Sequence, residues 1–94
     1  MIKSFRSKAL DRLWTRNDPR GIRSDQVRRV TDRLFALNRA TAPEDMNLPG
    51  YFFHVLTGQM AGRYSVRISG NWRLTLGWDE TGPDAIDVDF EDYH

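Results

Sequence analysis

With 94 residues the chain has room for one domain and one modest core, and 39% hydrophobic with 29% charged residues describes a globular protein. The lack of cysteine excludes disulfides and thiolate-bound metals, and no stretch approaches the roughly 18 apolar residues of a membrane span. The net charge of +1 conceals a division: residues 1–39 hold eleven Lys/Arg against four Asp, a balance of +7, and residues 40–94 hold three Arg against nine acids, a balance of −6. All the basic residues except Lys3 and Lys8 are arginines. That bias suits bidentate recognition of phosphate or carboxylate, although a solvated helical surface has the same composition.

In chain order, Met1 to Phe5 reads as a short opening strand. The start, MIKSFRSKAL, has neither a long apolar run nor a small-residue cleavage site, so no signal peptide is expected and the cytoplasm is the expected location. Ser7 is placed to cap a first helix in which Leu10, Leu13 and Trp14 share one face. The run Asn17-Asp18-Pro19-Arg20-Gly21 breaks it. Ser24 is expected to cap a second helix reaching about Ala40, with Val27, Val30, Leu34 and Leu37 on one stripe. Arg28, Arg29, Arg33 and Arg39 then face solvent or a partner.

A short helical turn is expected at Glu44-Asp45-Met46, ended by Pro49-Gly50. The pattern then changes to four strands: Tyr51 to Leu56, Tyr64 to Ile68, Trp72 to Trp78, and Ala85 to Phe90. Helices first and strands later, with no βαβ alternation, predicts an α+β fold with two helices on one face of a mostly antiparallel sheet. Treating Ser69-Gly70-Asn71 as a three-residue hairpin loop pairs Ile68 with Trp72, Val66 with Leu74 and Arg67 with Arg73. Like charges directly opposite are unfavourable, so something must compensate. The same parity puts Asp87, Asp89 and Glu91 on the face of Arg73 and sends Ile86, Val88 and Phe90 to the core. For Arg67 the simpler reading is an Arg–Asp ladder, and the sharper one is an anion site for a phosphate.

Chemistry is sparse. His54 and His94 are the two side chains best suited to move protons near neutral pH, and they come from separate strands. His54, in YFFHVL, also fits a packed or edge residue. The strand from Ala85 is expected to hold Asp92, Tyr93 and His94 close to the sheet. Tyr93 reads as a proton carrier, a hydrogen-bond donor or an aromatic anchor. Two histidines with Asp92 give a weak metal signal, with no helical His pair. There is no phosphate-cradling glycine loop and no nucleophile-elbow serine.

The segments MIKSF, ATAPEDMNLPG, GNWRLTL and DVDFEDYH together resemble the HigB toxins of the RelE/ParE superfamily. The resemblance spans nearly the whole chain and implies a RelE-like fold. It implies a toxin neutralised by a HigA-type antitoxin, which cleaves messenger RNA in the ribosomal A site without metal or small-molecule cofactor. His54 matches the histidine of the family's His-Pro-Leu-Lys-Gly segment, Arg73 the arginine of Asn-Trp-Arg-Leu, and Asp92, Tyr93 and His94 the terminal motif. The family's lysine is Thr57 here, which removes one cation; Arg67 or Arg63 substitutes, or activity falls. The implied reaction is attack of a ribose 2′-hydroxyl on the adjacent phosphorus. In it Arg73 steadies the charge, His54 and His94 carry protons, Asp92 orients an imidazole, and Tyr93 contacts RNA.

Two other readings stay open. A non-catalytic toxin that inhibits a protein target, as the gyrase-poisoning ParE branch does, fits Thr57 and the thin catalytic set. A basic nucleic-acid-binding domain without toxicity fits the arginine-rich first half.

Overall fold

The computed structural model describes residues 1–92, and its first helix starts where a serine hydroxyl dictates. Ser7 is extended, and its Oγ accepts the Leu10 amide at 3.2 Å, satisfying one of the donors a helix N-terminus leaves open. Helix α1 runs Lys8–Arg16 and ends at Asn17, whose φ of 53° is left-handed. Helix α2 spans Val27–Arg39, and its cap is Gln26 rather than Ser24. Ser24 lies in a turn instead. Gln26 is buried and donates from Nε2 to Ser69 Oγ at 3.0 Å, which anchors the helix start to the sheet. A 3₁₀ turn over Pro43–Met46 follows, with Met46 fully buried.

Four strands form one antiparallel sheet in chain order: β1 His54–Val55, β2 Arg63–Ser69, β3 Trp72–Asp79 and β4 Asp84–Asp92. Leu10 and Leu13 of α1 and Val30, Leu34 and Leu37 of α2 share one core with Val66, Ile68, Leu74, Leu76 and Val88 of the strands. Full burial of each such side chain stabilises by roughly 1.5–3 kcal/mol. This is the expected α+β arrangement, with two N-terminal helices packed on the sheet. No helix among the described residues is long and apolar enough to cross a membrane.

Two bulges depart from simple alternation. Arg67 pairs with Arg73, as expected, but Ser69 rather than Ile68 pairs with Trp72. Ile68 is the extra residue, and the loop shortens to Gly70-Asn71, with Gly70 at φ +55. The bulge lets a two-residue loop coexist with the arginine pairing and with a buried Ile68. In β4, Thr75 pairs with Asp89 but Gly77 pairs with Ile86, so Asp87 and Val88 together oppose Leu76. Asp87 takes a left-handed φ of 51°. The extra residue inverts the face of everything before it. Ala85, not Ile86, therefore enters the core, and Ile86 lies over Gly77 on the outer face.

The expected strands at the two sheet margins are shorter. Residues 1–5 form only two parallel bridges, Ile2 to Ala85 and Phe5 to Val88. These fall three residues apart because the Asp87 amide turns to Ser4 Oγ at 2.9 Å instead of continuing a ladder. The Tyr51–Leu56 run keeps only His54–Val55 as a strand, because Phe52 is left-handed at φ 49°.

Candidate functional site

The outer face of the sheet, away from the helices, is assembled by the alternation of β2 and β3. One row across it reads His54, Ser65, Thr75, Asp89, and the next reads Arg67, Arg73, Glu91. Both rows are polar. Ser65 is 1% and Thr75 0% exposed, so these hydroxyls form the floor while His54, on the edge strand, is exposed. His54, Val55, Leu56, Thr57, Ser65 and Arg73 line an open cleft of about 220 Å³. The Leu56 amide donates to the Arg63 carbonyl at 3.0 Å, and Thr57 starts a 3₁₀ turn over Gly58–Met60. Gly58, at φ +66, permits the chain reversal that brings Thr57 to the rim.

The cleft floor is tied together along the outer face. Arg63 Nη2 donates to Thr75 Oγ1 at 3.0 Å and to the Asp87 carbonyl at 2.9 Å, and the Thr75 hydroxyl donates in a short bond to Glu91 Oε2. Partial burial presses the Arg63 guanidinium below its usual pKa, and the charge of Arg6 adds to this. Arg63 thus braces the bulged stretch of β4 and is not among the residues lining the cleft. Arg67 lies beside Arg73 in register, but its guanidinium bends away. It donates from Nε to the Gly70 carbonyl at 3.2 Å and stacks over the Phe52 ring, 5.3 Å from its centroid. The expected Arg–Asp ladder does not form at Arg67, which has no carboxylate partner among the described residues.

Of the residues singled out in the sequence, the fold brings His54, Thr57 and Arg73 to one cleft, with Arg67 adjacent. Asp92 ends β4 opposite Trp72 and is exposed. Tyr93 and His94 lie outside the described residues. Sequence reasoning missed Ser65 and Thr75, while Glu91, expected on the face of Arg73, sits directly opposite it. The signal for the two hydroxyls was present, since they share the strand parity of Arg63, Arg67 and Arg73. Among the described residues no three His, Asp or Glu side chains group as metal ligands.

The same architecture occurs in the YoeB-YefM complex from Staphylococcus aureus, at a TM-score of 0.58 and 18% identity, covering 100% of this chain and 98% of that one. That likeness defines the fold. The family model for the RelE-like toxin of the type II toxin–antitoxin system HigB matches residues 3–94. The Endoribonuclease HigB of Proteus vulgaris is 36% identical over 94 residues, covering 100% of both chains. This chain belongs to the HigB-like toxin family of the RelE superfamily, and it is a toxin of a toxin–antitoxin pair.

Proposed function

We propose that the chain is a ribosome-dependent endoribonuclease that cuts messenger RNA by attack of a ribose 2′-hydroxyl on the neighbouring phosphorus. The observation that carries this reading is the convergence of His54 and Arg73 on one open polar cleft. Two residues far apart in sequence meet there, one able to move protons and the other able to hold phosphate oxygens. The relative from Proteus vulgaris carries the name of an endoribonuclease, which supports the same assignment.

In this mechanism the 2′-oxygen forms its bond to phosphorus as the 5′-oxygen leaves. The products are a 2′,3′-cyclic phosphate and a 5′-hydroxyl. One histidine of the pair His54 and His94 takes the 2′ proton and the other protonates the leaving oxygen. Positioned acid–base groups of this kind contribute roughly 10²–10⁴-fold. Arg73 stabilises the charge that gathers on the non-bridging oxygens, an effect of about 10²–10³-fold for one well-placed donor. Asp92 orients an imidazole and Tyr93 contacts the RNA. With Thr57 at the place of the family lysine, the cleft rim lacks one cation, since Arg67, beside Arg73 in register, turns its guanidinium to the Gly70 carbonyl and the Phe52 ring. Thin acid–base equipment suits an enzyme whose substrate is aligned by the ribosome. A HigA-type antitoxin is the cognate partner.

The experiment is 5′-end mapping of a messenger RNA incubated with the purified protein, with and without ribosomes, for wild type and His94→Ala. Cuts that require ribosomes and disappear in the variant are expected. A wild-type protein that arrests growth yet makes no cuts would transfer the assignment to a protein target such as DNA gyrase.

A further inference from the structure

A second basic cleft, of about 340 Å³, opens where α2 meets the margin of the sheet, lined by Arg29, Arg33, Gly50, Phe52, Arg67 and Ile68. Three guanidiniums meet there without a carboxylate: none of the three is in an ion pair among the described residues. Two arginines between the helices are neutralised locally, Arg20 by Asp18 at 2.9 Å and Arg23 by Asp25 at 2.8 Å. Three guanidiniums gathered in one cleft without such a partner are the first indication of a ligand.

The second is the way each guanidinium is fixed. Arg29 Nη1 donates to the Ile68 carbonyl at 3.3 Å and Arg33 Nε to the Arg67 carbonyl at 3.1 Å. Arg33 also stacks over the Tyr51 ring at 4.2 Å. Arg67 is held by the Gly70 carbonyl and the Phe52 ring. A guanidinium carries five N–H donors, and each of these gives one of them to a backbone carbonyl, so each is oriented and keeps donors for an anion. The third indication is Phe52. The residue is 57% exposed, on a backbone at φ 49° that a bulky residue rarely adopts. An apolar ring held out beside three cations offers a stacking platform next to a phosphate site, the pairing that single-stranded nucleic acid uses.

We propose that this cleft binds a phosphodiester of single-stranded RNA, with the adjoining base stacked on Phe52. It rests on the reading that the outer face of the sheet takes RNA. Lining residues of the two clefts are close in chain and in register: Phe52 precedes His54 by two residues and Arg67 pairs with Arg73. A strand seated at His54 and Arg73 is led over Phe52 onto α2, so the second cleft holds a nucleotide flanking the cut and sets the register of the chain. The negative partner of the basic first half is then RNA backbone, read at a defined pocket and not over the whole helix surface.

The test is fluorescence anisotropy with a short single-stranded RNA carrying 2′-O-methyl groups, which cannot undergo the attack, titrated over a range of salt. Arg29→Ala with Arg33→Ala is expected to weaken binding about tenfold and to lower the slope of log Kd against log salt by roughly 0.7 per lost contact. Because these arginines also clamp β2, the Arg29→Lys, Arg33→Lys protein is the control for folding: it keeps the charge and is expected to restore most of the slope. Phe52→Ala is expected to weaken binding with the slope unchanged. Wild-type affinity and slope in a folded alanine variant would overturn the proposal. So would an alanine variant that loses affinity for poly-glutamate but not for RNA, which would make the cleft a site for an acidic protein segment. Failure of the nuclease reading is separate, since it appears as absent cuts by wild type while RNA binding and its dependence on the two arginines persist.

Discussion

The two faces of the sheet are built from the same strands by opposite rules. The inner face holds Val66, Ile68, Leu74, Leu76 and Val88 against the helices, nearly without exposure, and it tolerates little. The outer face holds Ser65, Thr75, Arg73 and Glu91 on the same strands, and its cleft is open to solvent. Hydrophobic burial determines the first. The second is fixed by bulges and hydrogen bonds that keep the inner face intact while re-aiming polar side chains. Activity and stability are therefore expected to separate by face.

Breaking the core on the inner side should have the largest effect. Leu34→Ala, at a fully buried position of α2 in that core, is expected to lose about 2–5 kcal/mol in urea unfolding, with cleavage per folded molecule unchanged. On the outer face the direction can be reversed. Thr57→Lys restores a cation at the cleft rim and is expected to raise the cleavage rate about tenfold, measured on programmed ribosomes, while the thermal midpoint stays put. A rate that falls instead would show that Thr57 has its own role. Ser7→Ala should cost about 1 kcal/mol by removing the α1 cap, read by denaturation, again without touching the cut. The smallest effect concerns Asp18, whose carboxyl the Arg20 side chain and amide hold down at about 2 from an ordinary 3.8. A depressed carboxylate pKa stabilises above the unfolded value and ceases to do so as pH falls through the folded one. The Asp18→Asn protein should therefore lose less stability than wild type between about pH 4 and pH 2, followed by thermal melts across that window.

The inner face was legible in the sequence because alternation and helical spacing are set by burial. Leu10 and Leu13, Val30, Leu34 and Leu37, and Val66 with Leu74 fall where periodicity places them. Arg67 opposite Arg73 was legible for the same reason. Ile86 was misplaced, because parity counting cannot see a one-residue bulge at Asp87, where an aspartate adopts a conformation normally left to glycine. Ser24 lost its capping role to Gln26, whose tertiary bond to Ser69 spans 43 residues. Arg29 and Arg33 read as facing solvent or a partner, and beyond that they reach the carbonyls of Ile68 and Arg67 in β2. Long flexible side chains find partners that no local pattern announces. In the candidate site, His54, Thr57 and Arg73 were named in advance, and Ser65 and Thr75 were missed although strand parity puts them on the face of Arg67 and Arg73.

If RNA is cut in the outer cleft, Arg73→Ala should show it in single-turnover cleavage on programmed ribosomes beside wild type. A loss of about 10²–10³-fold with the thermal midpoint preserved is expected. Cleavage at the wild-type rate by the folded variant would contradict it.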